Sequence, residues 1–191
     1  MVHHATVRRA MAVAGVVPSG LRCGPMFDDL LQANSTYSEA FTLRGIPPVA
    51  AREFALVTCM DSRIEPLTML GLLPGDAKIL RNAGGRVTPD VLRSLVLATR
   101  FLGVREIAVM QHTNCALAMQ DDDEVRGRLA ADGVEGIDGW EFLAMPDPDR
   151  ALADDVALLR ACDQLPDGVQ IEGWRYDVES GLIDRVIASS H

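Results

Sequence analysis

Residues 53–63, EFALVTCMDSR, join a short apolar run to a cluster of reactive side chains. The length and composition of the run, residues 53–58, predict a buried β-strand. Cys59, Asp61 and Arg63 follow where that strand ends. A soft thiolate, a carboxylate and a guanidinium at the end of one strand are typical of a metal or catalytic site, so we expect the fold to be organised around this stretch.

A second cluster has the same arrangement. Residues 105–110, REIAVM, form another apolar run and predict another strand, and Gln111-His112-Thr113-Asn114-Cys115 follows it directly. The spacing of His112 and Cys115 puts both side chains on one side of a helical turn, or of the loop that enters one. Two cysteines and one histidine, placed just beyond strands, are the ligands of a zinc site that keeps one coordination position open.

Strands alternate with helices along most of the chain. The predicted segments are a helix at 27–41, a strand at 53–58, a short helix at 66–72, a strand at 77–80, a helix at 89–102, a strand at 105–110, a helix from just beyond Cys115 to about residue 131, a helix at 151–165, a strand at 169–176 and a hairpin return at 182–186. This order predicts an α/β fold: a parallel-sheet core flanked by helices, with an N-terminal helix and a C-terminal strand hairpin. Ligands bind outside the carboxyl ends of the strands in such sheets. We therefore expect Cys59, the Arg81–Gly85 loop and His112 to meet at one edge.

Size, charge and cysteine content limit the possible classes of protein. The chain has 191 residues, 48% of them hydrophobic, which fits one domain. A net charge of −9 without a basic stripe argues against nucleic acid as a partner. The apolar stretches are far shorter than the ~18–20 residues of a membrane-spanning helix, so no membrane association is expected. Four cysteines in a chain of this length do not indicate a disulfide framework, and they favour a reducing compartment such as the cytoplasm.

Residues 1–25 differ from the rest of the chain. Arg8 and Arg9 before the apolar stretch 10–17 loosely imitate a signal peptide, but Gly15 and Pro18 interrupt the apolar part. We favour a dispensable tail, or a start codon assigned too early, over export. The single domain is then predicted to occupy residues 26–191.

Three ordered motifs resemble the β-class carbonic anhydrases, in particular their short, compact branch. The motifs are Cys59-x-Asp61-Ser62-Arg63, Arg81-Asn82-Ala83-Gly84 and His112-Thr113-Asn114-Cys115. The resemblance covers about residues 27–187. It implies a zinc enzyme that hydrates carbon dioxide reversibly to bicarbonate and a proton, with hydroxide on zinc as the nucleophile.

The resemblance also implies roles for individual residues. Cys59, His112 and Cys115 would hold zinc, and the fourth ligand would be either water or the carboxylate of Asp61. Asp61 and Arg63 are expected to form a charge-assisted pair. The pair would act as a gate: Asp61 on Arg63 leaves the fourth position to water, whereas Asp61 on zinc blocks it. Activity is accordingly expected to rise with pH.

Members of the family are homodimers or larger assemblies, so the resemblance implies a homo-oligomer. The N-terminal helix would contact the neighbouring subunit. Leu30, Leu31 and Phe41 are the apolar residues that could make this contact, although from sequence they fit a core role equally well.

Two other functions compete with carbon dioxide hydration. The first keeps the metal and the fold but hydrolyses carbon disulfide or carbonyl sulfide. The second is a non-catalytic, zinc-stabilised interaction module, which would need four protein ligands. Phosphatase chemistry of the C-x5-R type is excluded because Glu65 stands where the arginine would be.

Two local features carry weaker expectations. The glycines of the Arg81–Gly85 loop are interpreted as letting backbone pass close to the site rather than as a phosphate-binding loop. Ala116 stands where the family usually has glycine, directly after the second cysteine. If that position requires a positive φ, alanine would introduce strain there.

Overall fold

The computed structural model describes residues 26–189, so the predicted tail at 1–25 lies outside the described residues. The elements are α1 (Met26–Glu39), β1 (Phe54–Cys59), α2 (Pro66–Met69), β2 (Ala77–Asn82), a 3-10 turn (Ala83–Gly85), α3 (Pro89–Phe101), β3 (Glu106–His112), α4 (Asp122–Ala131), α5 (Pro148–Arg160), β4 (Gln170–Tyr176) and β5 (Ile183–Ile187). Their order is the predicted one. Within the described part, no helix is both long and apolar enough to cross a membrane.

All five strands form one sheet in the order β2-β1-β3-β4-β5. β1 pairs in parallel with β2 and β3, and β3 pairs in parallel with β4. β5 runs antiparallel to β4 as the return strand of a hairpin. The predicted α/β fold, with a parallel core and a C-terminal hairpin, is confirmed.

The core lies on both faces of the sheet, which explains why β1 and β3 are continuous apolar runs. Ala55 and Val57 of β1 pack on the face that α3 and α5 cover, whereas Leu56 packs on the other face. Leu95 of α3 and Leu152 of α5 are 0% and 1% exposed. Burying a leucine side chain this completely stabilises the fold by roughly 1.5–3 kcal/mol relative to leaving it in water.

Helix α3 returns the chain to the start of β3, and neighbouring residues determine where the helix begins and ends. The Thr88 hydroxyl accepts a hydrogen bond from the Val91 amide at 3.3 Å, and Pro89 occupies the first helical position. Gly103 follows the helix with φ +76°, a conformation that ends helices and favours glycine. β3 then runs antiparallel to the helix and carries His112 to the edge where β1 ends.

The helix predicted just beyond Cys115 begins later, at Asp122. Asp121 caps it: its carboxylate accepts the Glu124 amide at 2.9 Å, and the Glu124 carboxylate accepts the Asp121 amide at 2.8 Å. The capping box sets the start of α4, so residues 115–120 form turns instead.

The helix predicted at 151–165 occurs at Pro148–Arg160. Asp147 caps it by accepting the Arg150 amide at 3.1 Å, with Pro148 in the first helical position. This earlier start places Asp155 in the middle of α5.

Contacts between residues divide the chain between Arg44 and Gly45. In the first unit, α1 exposes Phe27, Leu30 and Leu31 at 75%, 55% and 68%. The second unit contains the sheet. The assignment of residues 26–191 to one domain stays a prediction.

Candidate metal centre

The predicted ligands meet at the carboxyl edge of the sheet. Cys59 ends β1 and His112 ends β3, and these neighbouring parallel strands are in register, with Thr58 opposite Met110. The metal-binding atoms of Cys59, His112 and Cys115 all lie within 4.8 Å of one another. Among residues 26–189, this is the group of three ligating side chains that could hold a metal ion.

The turn between β3 and Cys115 brings the second cysteine back to the histidine. Asn114 has φ +54°, a left-handed conformation that asparagine tolerates better than most residues. Ala116 is not among the described residues with positive φ. The strain anticipated for alanine therefore does not arise, because Asn114 rather than Ala116 makes the left-handed turn.

The His112 ring is oriented as a metal ligand. Its Nδ1 lies 2.8 Å from the Thr113 carbonyl oxygen, which makes Nδ1 the protonated nitrogen when the ring is neutral. Its Nε2 is buried without a hydrogen-bond partner within the described residues. A buried polar atom without a partner is costly, and a metal ion at this position would satisfy it.

The spacing of the three candidate ligand atoms and their chemical type also fit a metal ion. Ligand atoms around a small tetrahedral ion lie roughly 3.3–3.8 Å apart, given bond lengths of about 2.0–2.3 Å. The ligand atoms here are at most 4.8 Å apart, so binding such an ion would require side-chain movements of only about 1 Å. Two sulfurs and an imidazole favour a soft or borderline transition metal over calcium or magnesium.

The two thiols lie close together and shift each other's pKa values in opposite directions. The Cys115 thiol lowers the pKa of Cys59 to about 4, against the opposing effect of burial. The same interaction, together with burial, raises the pKa of Cys115. Burial lowers the pKa of His112, but the neighbouring Cys59 sulfur outweighs burial and raises it overall. The lowered pKa of Cys59 favours its thiolate, which is the form that ligates a metal.

Asp61 and Arg63 form the predicted pair beside the three candidate ligands. Asp61 Oδ1 accepts hydrogen bonds from the Arg63 amide and Nε, both at 2.9 Å, and Oδ2 accepts one from an Arg63 terminal nitrogen at 2.7 Å. These bonds hold the pKa of the Asp61 carboxyl well below its usual range. Asp61 Oδ2 also lies 3.9 Å from His112 Nε2, so the carboxylate borders the position that a metal would occupy.

Arg63 also contacts the loop that follows β3 and leads to Cys115. Its terminal nitrogen donates a hydrogen bond to the Asn114 carbonyl oxygen at 3.0 Å. The guanidinium therefore joins the loop after β1 to the loop after β3.

Sequence reasoning missed the role of Arg81. Its Nε donates to the Cys59 carbonyl oxygen at 3.0 Å, and a terminal nitrogen donates to the Asp61 carbonyl oxygen at 2.6 Å. Arg81 thereby holds the backbone that carries a predicted ligand and the predicted gate. Its place at the end of β2, opposite Thr58, follows from strand pairing, which the motif alone did not reveal.

The Arg81–Gly85 loop lies against the site as backbone, which agrees with the interpretation of its glycines. Gly85 has φ +66°, and a Cβ added there would lie 2.8 Å from the Cys59 nitrogen and 2.9 Å from the Thr58 carbonyl carbon. Only glycine fits that approach.

An open cavity of about 620 Å³ borders His112 on the side of Met119 and Arg175.

Known proteins resemble this chain in sequence and in structure. The family model described as carbonic anhydrase matches residues 54–135. β-Carbonic anhydrase 1 of Mycobacterium tuberculosis is 33% identical over 161 residues, which cover 83% of this chain and 96% of that protein. Carbon disulfide hydrolase of Acidianus sp. is 34% identical over 161 residues, covering 72% of this chain and 78% of that protein. The crystal structure of carbonic anhydrase from Streptococcus mutans superposes with a TM-score of 0.79 at 38% identity, covering 86% of this chain and 99% of that one.

Proposed function

Since this chain belongs to the β-carbonic anhydrase family, we propose that it catalyses the reversible hydration of carbon dioxide to bicarbonate and a proton. The observation that carries the proposal is the convergence of Cys59, His112 and Cys115, whose ligand atoms lie within 4.8 Å of one another. The metal is proposed to be zinc, because zinc accepts two thiolates and an imidazole and leaves a fourth position open in catalytic sites.

The zinc site would work through its three ligands and its surroundings. When bound, zinc supplies the Lewis acidity that makes water a nucleophile at neutral pH. The two thiolates of Cys59 and Cys115 cancel the charge of a divalent ion, which leaves it a weaker acid than a site of three neutral histidines would. The Thr113 carbonyl oxygen, 2.8 Å from His112 Nδ1, directs Nε2 towards the metal position.

Asp61 and Arg63 are proposed to control access to the fourth position. Paired with Arg63, the carboxylate is held in three hydrogen bonds and leaves that position to solvent. Released from Arg63, it is close enough to the ligands to become the fourth donor itself. Because Asp61 keeps its charge across the neutral pH range, Arg63 rather than protonation would hold it away from the metal.

Hydrolysis of carbon disulfide is the second candidate function. It is supported by the 34% identity to the carbon disulfide hydrolase of Acidianus sp.. The same site and the same chemistry would serve a linear molecule with sulfur in place of oxygen. The non-catalytic module has less support, because it needs a fourth protein ligand and Asp61 is engaged by Arg63.

The experiment that tests the proposed function combines metal content with two activity assays. We expect about one zinc per chain, carbon dioxide hydration that rises between pH 7 and 9, and loss of that activity after zinc is removed by a chelator. Release of sulfide from carbon disulfide, without carbon dioxide hydration, would instead support the second candidate. Full zinc content with neither activity would favour the non-catalytic module.

The free thiols of Cys59, Cys115 and Cys162 suit a reducing compartment, and on that ground we propose that the protein is cytoplasmic. Thiol ligands remain available for a metal only where they are kept reduced.

We further propose a homo-oligomer in which α1 contacts a second copy. Phe27, Leu30 and Leu31 of α1 are exposed at 75%, 55% and 68%, which is unusual for three large apolar side chains so close together. Leu30 and Leu31 were predicted either for this contact or for a core position, and their exposure supports the contact.

A double variant with aspartate in place of both Leu30 and Leu31 is expected to have a lower assembly mass in solution, closer to the single-chain value of 20.7 kDa. Two charges in an apolar interface are costly to bury, so dissociation should be favoured. Sedimentation equilibrium measures the mass, and Leu158→Asp on α5, where the leucine is 47% exposed, is the matched control. An unchanged oligomer in the double variant would count against this contact.

A further inference from the structure

Arg86 directly follows the turn that lies against Cys59. The Asn82 side chain closes that turn: its nitrogen donates to the Arg86 carbonyl oxygen at 2.8 Å, and its oxygen accepts the Arg86 amide at 2.9 Å. Gly85, within the turn, approaches the Cys59 backbone too closely for any Cβ. A displacement of Arg86 would therefore be transmitted to the first cysteine.

The Arg86 side chain is buried in an ion pair with Asp155. Nε donates to Asp155 Oδ2 at 2.7 Å, and a terminal nitrogen donates to Asp155 Oδ1 at 3.3 Å. The two side chains are only 12% and 7% exposed. Such a pair gives a defined orientation to both partners, since neither charge can be left buried alone.

The remaining terminal nitrogen of Arg86 donates to the Leu143 carbonyl oxygen at 2.8 Å. Leu143 belongs to residues 141–146, which we call the strap. Leu143 has φ +55°, a strained conformation for a branched side chain, and it brings this carbonyl to the guanidinium. Arg86 therefore joins α5 and the strap as well as the turn beneath Cys59.

The strap is bonded in turn to the segment that follows Cys115. The Met145 amide donates to the Leu117 carbonyl oxygen at 2.8 Å, and the Met119 amide donates to the Met145 carbonyl oxygen at 2.8 Å. At its other end, the Asp122 carboxylate accepts the amides of Phe142 and Ala144, both at 2.8 Å. The strap thus fixes the backbone two residues beyond the second cysteine.

We propose that Arg86 and Asp155 are positioning residues for the metal centre, acting on both cysteines at once. One guanidinium sets the turn against Cys59 and, through Leu143 and Met145, the turn after Cys115. The inference rests on the proposed function only in taking these cysteines as metal ligands. Neither Arg86 nor Asp155 touches the ligands, and their effect is on the distance between the two sulfurs.

The test measures zinc affinity rather than activity. In the double variant Arg86→Met with Asp155→Leu, an apolar pair of similar volume replaces the ion pair, a change that often leaves stability nearly unchanged. We expect zinc affinity, measured by competition with a chromophoric chelator, to fall by about 10- to 100-fold, as for other residues that support metal ligands. Denaturant unfolding of the metal-free protein, measured in parallel, should change much less than metal affinity does.

A conservative variant and a control complete the experiment. Arg86→Lys keeps the charge beside Asp155 but cannot bond Asp155 and Leu143 together, so we expect an intermediate loss of zinc affinity. The visible spectrum of the cobalt-substituted protein should report altered thiolate coordination in both variants. Asp154→Asn, which breaks the exposed pair with Arg150 on the same helix, should leave affinity and spectrum unchanged.

The proposal would be overturned if Arg86→Lys had the same zinc affinity and cobalt spectrum as the wild-type protein. The same result in the double variant would also overturn it. If the double variant fails to fold, Arg86→Lys alone decides. A wild-type protein that binds zinc but hydrates no carbon dioxide would refute the proposed function and leave this inference standing.

Discussion

Serine in place of Cys115 is expected to abolish stoichiometric zinc binding and to reduce carbon dioxide hydration by roughly 10³-fold or more, the scale of loss typical of an essential catalytic group. Zinc would retain only Cys59 and His112, and a serine hydroxyl is a poor ligand for an ion that prefers thiolate. Cys115 is half-buried and lies at the end of the sheet rather than in its core, so the fold should persist. Zinc content by atomic emission and the hydration rate by stopped flow are the two measurements.

Cys162 provides the matched control for this change. Its thiol is also half-buried, but it lies near Gln164, with Sγ 3.4 Å from the amide oxygen, away from the metal centre. Cys162→Ser should keep one zinc per chain and near wild-type turnover. Zinc retained at one per chain in Cys115→Ser would mean that this cysteine is not a ligand, and the proposed coordination would then be wrong.

Alanine in place of Arg63 is expected to retain zinc and to lower turnover by about 10- to 100-fold, the range found for residues that orient metal ligands. Two of the three hydrogen bonds from Arg63 to Asp61 come from the guanidinium and would be lost, whereas the backbone amide bond would remain. The freed carboxylate, 3.9 Å from His112 Nε2, could then occupy the fourth position. Steady-state kinetics with zinc analysis separates this outcome from loss of the metal.

Two further variants sharpen the result. Arg93→Ala removes an exposed arginine that pairs with Asp90 on α3, and it should have no effect on turnover. Arg63→Lys should recover only part of the activity, because an ammonium cannot form the two parallel bonds of a guanidinium. Full turnover in Arg63→Ala would contradict the gate.

Much of the candidate metal centre was predictable because each of its three side chains has a local signature. Cys59 and His112 each follow a short apolar run, and such runs become adjacent parallel strands whose ends lie side by side. Cys115 follows His112 at a spacing that one turn brings back to it. The pairing of Asp61 with Arg63 was likewise local, since they are only two positions apart along the chain.

Other parts of the site depended on contacts that no local pattern encodes. The helix expected just beyond Cys115 begins at Asp122, because the capping box at Asp121 and Glu124 outweighed the general helical composition. Arg81 was known only as the first residue of a motif. Its bonds to the Cys59 and Asp61 carbonyl oxygens exist because β2 pairs with β1.

The amino-acid sequence by itself determined the order of strands and helices, the sheet edge at which the site forms and the three side chains that are proposed to bind a metal. Each of these follows from apolar periodicity and from the chemistry of neighbouring residues. Only the tertiary structure decided which distant residues surround those side chains: Arg86 pairs with Asp155, and the strap bonds to Leu117. The physical reason is that partners far apart in the chain are selected by packing and by the need to pair buried charges, neither of which leaves a periodic signal in the sequence.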